Sequence, residues 1–444
     1  MKWQQVFRGT LVWFHVLFLF YAFSLVSGKV FSERRVLLEL KNSVSDPSGI
    51  LSSWDEDGSN SSHHCSWYGV SCDSKSRVTS VNVTGGDFVV ERGNSQAFSR
   101  SKFSQFAFHG FGIRRTCSHR NGKLEGKLSP LIGKLTELRA LSLPFNSLSG
   151  EIPIEIWGLE NLEVLDLEGN SFTGKLPNRF KGLRKLKVLN IGFNKIVGEI
   201  PFSLSKCVSL RVLNLAGNEV NGSIPVFFGS FPELWGLYLS LNQLTGSVPD
   251  EFGYNCQNLE HLDLSGNFLI GGIPRSFGKC RRLRTLLLFS NKLDDVIPHE
   301  LGQLRKLEVL DVSRNSLNGP IPAELGNCVE LSVLVLSNIF DSLSIRRSQR
   351  DENNHFQGSI PMEIMILPKL KIIWAPRASL EGKFPRNWGG CDSLEMVNLA
   401  ENLFSGETTG VFGGCKNLHF LNLSSNRLTG ELDGKLPVPC MTRF

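Results

Sequence analysis

Residues 159–177 read LENLEVLDLEGNSFTGKLP, and residues 183–201 repeat the same pattern as LRKLKVLNIGFNKIVGEIP. The two copies start 24 residues apart (183 − 159), a period typical of repeat architectures. About twelve such copies follow one another between Leu135 and Leu432. A period kept this regularly predicts a solenoid, in which each unit packs only on its neighbours.

The spacing within one copy predicts a short strand. In Leu165-Asp166-Leu167 the alternation has a period of two, so we expect both leucines to point inward and Asp166 to face water. We therefore expect strands at 141–143, 165–167 and 189–191, and at the same period onward. Strands of successive repeats should pair in parallel and stack their leucines into columns that no single repeat could bury.

One asparagine recurs in almost every copy, five residues after the first strand leucine. An asparagine side chain offers both donors and acceptors, so a stacked row can satisfy the backbone groups of each turn. The Gly-x-Ile-Pro ending then favours a tight return, because glycine permits a positive φ and proline fixes φ. The asparagines are Asn146, Asn170, Asn194, Asn218, Asn242, Asn267, Asn291, Asn315, Asn402 and Asn426.

The repeat ending and the entry segment resemble those of plant leucine-rich-repeat receptor-like kinases. Endings such as 150–153 (GEIP) are of the plant type, and residues 29–76 resemble the N-terminal cap of that family. The cap carries Leu37 and Leu38 on an amphipathic helix, Trp54, and the CSWYGVSC motif of residues 65–72. The amino-acid sequence of stretches such as 141–147 (LSLPFNS) is similar to that of the Toadstool-type branch of the family.

This resemblance implies the fold class and one disulfide bond. It implies an α/β solenoid that forms a right-handed superhelix, with a parallel β-sheet on the concave face and short 3-10 or irregular segments on the convex face. The cap should be helical, Cys65 and Cys72 should be bonded, and residues 77–86 should hold the first repeat strand at Val78 to Val83.

Several segments fall outside the regular repeat. Residues 1–28 have the charges and apolar stretch of a secretory signal peptide. Residues 87–121 form an irregular insertion rich in Phe, Arg and Ser, expected to be a disordered surface insertion or a gene-model artefact, with a partner-docking loop as the alternative. The array covers 122–433 with a loop insertion near 339–353, and 434–444 resembles the start of a further repeat. We expect the chain to be part of a receptor ectodomain, from a shortened product or gene model.

Six cysteines each replace the first leucine of a repeat: Cys207, Cys256, Cys280, Cys328, Cys391 and Cys415. We expect them to act as small buried hydrophobic residues. Bridges between neighbouring repeats, Cys256 with Cys280 or Cys391 with Cys415, are the alternative. Cys117 and Cys440 have no evident partner, and no cysteine or histidine pattern predicts a metal site.

Asn-x-Ser/Thr sequons predict N-glycosylation and suit a secretory route. They lie at Asn60, Asn82, Asn221 and Asn422. Asn60 lies in a polar loop. Asn422 falls between two strand leucines, so a glycan there would obstruct ligand binding on the concave face.

The outward strand positions give the candidate binding surface. Most of them are polar, as at Asp166, Asn190, Asn214, Asp263, Asp311 and Asn398, but three consecutive repeats carry large side chains. Such a row favours a partner-binding surface over a plain solvated face, and ordinary local packing or contact with a glycan is the alternative. The candidate residues are Trp235, Tyr238, Leu241, His261, Asp263, Leu287 and Phe289. Trp374 with Arg377 forms a second candidate patch.

The sequence offers no support for catalysis, a cofactor or nucleic-acid binding. No nucleophile–base constellation stands out, and removing Lys2 and Arg8 lowers the formal charge only from +6 to +4. The favoured hypothesis is a non-catalytic ectodomain at the cell surface that binds a peptide, protein ligand or co-receptor kinase and reaches the membrane only through a further C-terminal part. The alternatives are a secreted recognition protein similar to polygalacturonase inhibitors, or a non-functional receptor fragment.

Overall fold

The computed structural model describes residues 32–55, 63–85, 122–180, 182–338, 353–383, 388 and 391–430. The expected signal peptide, the insertion at 87–121, most of the loop at 339–353 and the segment 434–444 lie outside these residues. So do Asn60, Cys117 and Cys440.

The N-terminal cap packs one helix against a pair of tryptophans. The helix Glu33–Asn42 begins after Ser32, whose hydroxyl accepts a hydrogen bond from Arg35 N at 3.3 Å, and it buries Leu37. Trp54 stacks on Trp67 with ring centroids 5.8 Å apart. The expected Cys65–Cys72 disulfide is present, with a Cα–Cα distance of 5.5 Å.

One long sheet of 14 strands runs through the described part of the chain. Its first two strands are antiparallel, and every later pairing is parallel and in register, as between Leu165 and Leu189. In order, the strands are Val70–Cys72, Val78–Asn82, Ala140–Ser142, Val164–Asp166, Val188–Asn190, Val212–Asn214, Gly236–Tyr238, His261–Asp263, Thr285–Leu287, Val309–Asp311, Val333–Val335, Ile372–Trp374, Met396–Asn398 and Phe420–Asn422.

The long sheet confirms the solenoid and corrects two details of its strands. Each repeat strand starts and ends one residue earlier than expected, as at 164–166 instead of 165–167. The first repeat strand, expected at Val78 to Val83, begins at Val78 and ends at Asn82, and an antiparallel cap strand, Val70–Cys72, precedes it in the sheet. The leucine columns are as predicted: Leu165 and Leu167 have no exposed surface.

Each recurring asparagine joins two repeats through its side chain. Asn170 Oδ1 accepts from Leu148 N at 3.0 Å, and its Nδ2 donates to Leu143 O at 2.9 Å and to Leu167 O at 3.0 Å. All ten predicted asparagines repeat this arrangement, as between Asn218 and Ile196 N. The row, called here the asparagine ladder, confirms the expected role.

The loop insertion leaves the ladder unbroken because a later asparagine takes the vacant place. Asn354 Oδ1 accepts from Leu317 N, and its Nδ2 donates to Val312 O. These partners lie 37 and 42 residues away, whereas the usual separations are 22 and 27, so the 15 extra residues are excluded from the stack. Asn338 closes the base of the loop by hydrogen bonding to Asn354 in both directions.

The segment after each asparagine also forms a strand, where the sequence predicted only a tight return. These strands pair in parallel between repeats into four shorter sheets in the described ranges, and the first sheet also contains the cap strand Val44–Ser45, which pairs antiparallel with Glu125–Lys127. The first comprises Val44–Ser45, Glu125–Lys127, Ser147–Glu151 and Ser171–Thr173; the second Val197–Glu199, Glu219–Ser223, Gln243–Ser247, Phe268–Gly271 and Lys292–Leu293; the third Asn318–Pro320 and His355–Gln357; the fourth Glu381–Lys383, Leu403–Glu407 and Arg427–Thr429.

In most repeats, proline ends this strand region and starts a single helical turn. Pro225, for example, lies directly before the 3-10 helix Val226–Ser230. A short α-helix, Met362–Met365, replaces the 3-10 turn in one repeat. The 3-10 helices are His64–Ser66, Pro130–Lys134, Ile154–Gly158, Leu183–Lys185, Phe202–Lys206, Val226–Ser230, Asp250–Tyr254, Arg275–Lys279, His299–Gln303, Ala323–Asn327 and Cys391–Ser393. None of the helices in the described ranges has the length and apolar character to cross a bilayer.

The structure divides the six repeat cysteines into two groups. Cys256 bonds Cys280 and Cys391 bonds Cys415, with Cα–Cα distances of 5.1 and 4.9 Å, so the expectation of inert thiols is wrong for these four. Each pair occupies the same position in consecutive repeats, where stacking brings the Cα atoms within bonding range. Cys207 and Cys328 are buried free thiols, as expected, since leucine or phenylalanine replaces cysteine in the adjacent repeats.

The outward face of the long sheet is less open than the sequence suggests. Asp166, expected to face water, has no exposed surface. Asn190 Nδ2 donates to Asp166 Oδ1 at 2.9 Å and to Glu168 Oε2 at 3.1 Å, and this pairing of side chains on neighbouring strands covers the carboxylate. The other outward polar residues Asn190, Asn214 and Asn398 are buried as well.

Substituting one ladder residue should destabilise the solenoid. Asn218→Ala leaves Ile196 N, Ile191 O and Leu215 O without this partner, and each orphaned buried group costs about 1–3 kcal/mol. We expect urea unfolding to show a loss in this range or above. Asn178→Ala, at an exposed position, should change the free energy of unfolding by less than about 0.5 kcal/mol. Equal stabilities of the two variants would contradict the proposed role of the ladder.

The division of the cysteines predicts a labelling pattern. Burial raises the pKa of the Cys207 and Cys328 thiols to about 12, so alkylation at pH 8 should label neither residue in the folded chain. Unfolding without a reductant should expose both to iodoacetamide, while the six bonded cysteines of the described residues should react only after reduction. Peptide mass spectrometry reads out each site. Labelling of Cys256 or Cys280 before reduction would overturn the assignment.

Candidate functional site

The seven candidate residues lie on three consecutive strands of the long sheet or just beside them. Parallel pairing aligns Tyr238 with Asp263 and Asp263 with Leu287, and it continues to Asp311 on the next strand. A second row places His261 beside Thr285. The structure therefore brings the predicted residues together. We call this surface the strip; it comprises Trp235, Tyr238, Leu241, His261, Asp263, Leu287 and Phe289.

Trp235 and His261 form the aromatic wall of the strip. Their rings meet edge to face with centroids 4.8 Å apart, and both side chains are half-buried. His261 Nδ1 lies 3.1 Å from Thr285 Oγ1. Burial lowers the pKa of His261 to about 4, so its imidazole is neutral near pH 7. A neutral ring next to an indole suits an apolar or hydrogen-bonding contact and not an ion pair.

Tyr238 is buried, which contradicts the expectation of an exposed side chain. Its relative exposure is 5%, and its ring lies over Gly236, where an added Cβ would come within 2.9 Å of Tyr238 Cε2. The ring joins a small apolar cluster on the outward face that includes Val188 and Val212. Tyrosine thus fills the space that a valine occupies in the preceding repeats, because glycine leaves it empty.

Leu287 is also buried, with 7% exposure, so the expectation of a protruding leucine is wrong. It lies between Asp263 and Asp311 of the neighbouring strands. Leu241 is half-buried in a left-handed conformation with φ of 56°, and it packs on Gly266 of the next repeat, where an added Cβ would lie 2.8 Å from its Cδ2. The strip is therefore a shallow apolar surface formed by the buried residues Tyr238 and Leu287, called here the floor, and half-exposed side chains border it.

A repeated turn is missing in two repeats of the strip. In most repeats the last strand residue is Asp or Asn, and its Oδ1 accepts from the backbone N–H two residues later, as from Ser313 N to Asp311 at 3.0 Å. This turn recurs at Asp166, Asn190, Asn214, Asp263, Asp311, Asn398 and Asn422.

Tyr238 and Leu287 occupy the same position and have no such acceptor. As a result, within the described residues, Ser240 N–H and Phe289 N–H make no hydrogen bond. Sequence reasoning missed these donors, although the replacement of Asp or Asn at positions 238 and 287 was visible. An extended peptide could accept from both with its carbonyl groups.

Two hydroxyls in and beside the strip add to this unused hydrogen-bonding capacity. Tyr238 OH and Ser265 Oγ are buried and have no partner among the described residues. Burial, with the nearby charges of Asp263 and Glu260, raises the pKa of Tyr238, so the phenol keeps its proton. Most buried polar groups in folded proteins are hydrogen-bonded, so such a group beside a surface marks a place for a ligand or water.

An ion-paired triad forms one edge of the strip. Arg284 pairs with Glu260 at 3.1 Å and also with Glu308, and these carboxylates raise the pKa of the guanidinium. The arginine is thus already neutralised and does not offer a site for a carboxylate. Asp311 is half-buried, and burial raises its pKa to about 6, whereas its hydrogen bonds from Ser313 oppose that shift.

The other predicted positions lie elsewhere on the solenoid. Trp374 stacks on Phe420 with centroids 5.5 Å apart, and Arg377 pairs with Glu401 at 2.5 Å, so both members of the second patch have local partners. Among the predicted glycosylation sites, Asn221 is exposed, whereas Asn82 and Asn422 are half-buried.

Comparison with known families agrees with this architecture. The model described as "Leucine rich repeat N-terminal domain" matches residues 32–73. Models described as "Leucine rich repeat" match 232–293 and also 161–183, 185–207, 209–231, 306–328 and 417–437. The fold and these matches define the class of the structure, a leucine-rich-repeat solenoid with a leucine-rich-repeat N-terminal cap.

Within this class the chain is similar to plant receptor-like kinases. It is 46% identical over 131 residues to the probable LRR receptor-like serine/threonine-protein kinase RPK1 of Arabidopsis thaliana, a match that covers 30% of this chain and 21% of the relative. The match thus spans about a fifth of that relative's length.

Solved receptor ectodomains have the same fold. The plant peptide hormone receptor RGFR1, in complex with RGF2, matches with a TM-score of 0.62 and 34% identity over 68% of this chain and 46% of that one. The ectodomain of GASSHO1/SCHENGEN3 from Arabidopsis thaliana, in complex with CASPARIAN STRIP INTEGRITY FACTOR 2, matches with a TM-score of 0.65 and 27% identity over 88% and 47%.

The raised pKa of Asp311 predicts a pH-dependent stability difference. A carboxyl group whose folded pKa exceeds its ordinary value of 3.8 favours folding when protonated, and this contribution disappears as the pH rises through about 6. Asp311→Asn should therefore be more stable than the unaltered chain at pH 7.5, and the gain should shrink toward pH 4. Urea unfolding of both proteins at pH 7.5, 6 and 4 measures the difference. A difference that is constant across this range would contradict the assignment.

Proposed function

We propose that this chain is the ligand- or co-receptor-binding, extracellular portion of a plant receptor-like kinase, and that the strip is its binding surface. It has no catalytic role of its own in this proposal. Its partner is a peptide or protein ligand, and signalling belongs to a kinase domain in the rest of the receptor. The amino-acid sequences of the repeats favour the Toadstool-type branch of this family.

The proposal rests mainly on one observation: the apolar floor and two unpaired backbone N–H donors lie in the same place. Tyr238 and Leu287 replace the residues that would have accepted from Ser240 N–H and Phe289 N–H. The donors lie two strands apart, or about 10 Å at the usual strand spacing. An extended peptide that crosses the strands can reach both donors with its carbonyls and cover the floor with its side chains.

The half-exposed aromatic residues supply anchors of the usual kind. Trp235 and Phe289 border the floor at opposite ends of the strip. Aromatic residues dominate the binding energy of protein interfaces, since they bury a large area with little loss of conformational freedom. The similar receptor RGFR1 supports this use of the fold, because it is a peptide hormone receptor whose structure contains RGF2.

An extracellular location follows from the same proposal. Three disulfide bonds in the described residues suit an oxidising compartment. The sequence of residues 1–28 has the pattern of a secretory signal, and the predicted glycosylation at Asn60, Asn82, Asn221 and Asn422 is part of the same route. The protein would then present the strip at the outer surface of the plasma membrane.

Binding assays with strip variants test the proposal. A library of synthetic 12-residue peptides is screened against the secreted full chain, and the affinities of the selected peptides are measured. We expect Trp235→Ala to weaken binding by about 2 kcal/mol or more, roughly 30-fold, because it removes an aromatic anchor. Tyr238→Phe keeps the packing over Gly236 and removes only the unpaired hydroxyl, so we expect a smaller loss.

Glu219→Ala is the matched control, since Glu219 is exposed and lies on a shorter sheet, away from the strip. It should bind like the unaltered chain. If Trp235→Ala and Glu219→Ala bind all selected peptides with equal affinity, the strip is not the binding surface.

A further inference from the structure

Two stacked aromatic rings lie on the outward face of the long sheet, away from the strip. Trp374 and Phe420, called here the aromatic pair, have ring centroids 5.5 Å apart and an interplanar angle of 24°. They lie on the first and third of three consecutive strands, on either side of the strand Met396–Asn398. Both side chains are half-buried, so part of each remains exposed as a flat apolar surface.

The aromatic pair is not built to bind an extended peptide. Trp374 occupies the strand position that Tyr238 has in the strip, but the residue two positions later is Pro376, which has no N–H. On the next two strands, the corresponding N–H groups already donate to the asparagines at the strand ends. These three strands therefore lack the unpaired donors that the strip has at Ser240 and Phe289.

The charges beside the aromatic pair are matched. Lys371 pairs with Glu395 at 2.8 Å before the strands begin, and Arg377 pairs with Glu401 after they end. The formal charges of these pairs cancel, so the surroundings favour a neutral molecule with an apolar face. A pyranose sugar has such a face, because its C–H groups carry a small positive charge and can stack on the negative face of an aromatic ring.

A predicted sugar attachment site lies directly beside the two rings. Asn422 begins the sequon 422–424 (NLS). It shares one row of the sheet with Trp374 and Asn398, and it follows Phe420 by two residues, so both side chains are on the same face of the strand. Two residues along a strand span only about 7 Å. A sugar on Asn422 therefore starts within reach of the aromatic pair.

The side chain of Asn422 is fixed with its attachment atom unused. Its Oδ1 accepts from the Ser424 N–H at 3.1 Å and from the Ser424 hydroxyl at 2.8 Å. Its Nδ2, the atom that would carry a glycan, donates to no acceptor among the described residues. Asn190 Nδ2, at the same strand position, instead donates to Asp166 and Glu168. The fold thus accommodates a sugar on Asn422 without breaking a hydrogen bond.

Resting on the extracellular location in the proposed function, we infer that Asn422 is glycosylated and that the first sugar of its glycan packs on Trp374 and Phe420. The occupant of the aromatic pair is then a neutral N-acetylglucosamine of the chain's own glycan. Because the sugar is covalently attached, this contact is intramolecular and needs no free ligand. The glycan closes the second patch to other partners, and the strip stays open for the peptide.

Site-specific deglycosylation of the folded chain tests the inference. The full chain is secreted from mammalian cells that keep their glycans in the oligomannose form, and glycopeptide mass spectrometry measures the occupancy of Asn422. Peptide-N-glycosidase F then releases the glycans under native conditions in heavy-oxygen water, which marks each released site for mass spectrometry. We expect release from Asn422 to be about fivefold faster in Trp374→Ala than in the unaltered chain, because the variant removes one of the two rings that shield the sugar.

Tyr254→Ala is the matched control, since it removes an exposed aromatic ring from a 3-10 helix outside the long sheet. It should leave the release from Asn422 unchanged. Asn221 is exposed on a shorter sheet and serves as the internal reference, whose release rate should be the same in all three chains. Circular dichroism verifies that each variant is folded.

The reverse experiment removes the glycan and follows the ring. Asn422→Gln should uncover Trp374, so its oxidation by hydroxyl radicals, measured by peptide mass spectrometry, should increase. Oxidation of Trp235, which lies in the strip, should not change. Equal oxidation of Trp374 with and without the glycan would show that the sugar does not cover it.

The outcomes separate this inference from the proposed function. If Asn422 of the secreted chain carries no glycan, or if Trp374→Ala leaves its release rate unchanged, the inference is wrong and peptide binding by the strip is unaffected. If the chain is not secreted, the proposed extracellular location and the inference fall together. If Trp235→Ala does not weaken peptide binding but the Asn422 glycan behaves as expected, the strip is not the binding surface and the inference stands.

Discussion

The asparagine bridge between neighbouring repeats is the interaction on which the rest of the structure depends. Each repeat turns sharply after a strand of about three residues, and such a turn leaves backbone N–H and C=O groups that no strand partner can reach. Asn170, for example, satisfies one N–H of the preceding repeat and carbonyls of both repeats with a single buried side chain. Since a buried unpaired group costs about 1–3 kcal/mol, the position tolerates few other residues.

The same constraint explains which irregularities the solenoid accepts. The extra residues of the loop insertion fit between Leu336 and Asn354, because the loop leaves the stack and Asn354 still reaches its ladder partners. Where alanine replaces the asparagine at Ala378, Asn402 of the next repeat accepts from both Ala378 N and Leu380 N. Stacking also decides which repeat cysteines of the described residues are bonded, since Cys256 with Cys280 and Cys391 with Cys415 occupy equal positions of consecutive repeats.

The candidate site lies at strand positions that the asparagine ladder does not constrain. Buried leucines and ladder asparagines are fixed by the repeat, but the last residue of each strand on the outward face is not. Aspartate or asparagine there closes a local turn and satisfies the N–H two residues later, which stabilises the repeat by itself. Tyr238 and Leu287 cannot make that hydrogen bond, so the N–H groups of Ser240 and Phe289 remain unpaired. A bound partner could accept from both of them.

The sequence by itself determined the repeat, the strand alternation, the role of the ten asparagines and the cap with its Cys65–Cys72 bond, because each depends on residues at a fixed local spacing. It also predicted that the residues of the strip lie together, because large side chains replace the usual polar outward residues in three successive repeats. It did not determine which outward side chains are exposed. Tyr238 is buried because Gly236 leaves room for its ring, and Asp166 because Asn190 lies beside it on the next strand. The pairing of Cys256 with Cys280 and the unused donors at Ser240 and Phe289 likewise needed the tertiary structure, because burial, bonding distance and hydrogen-bond partners depend on contacts between repeats that local spacing does not specify.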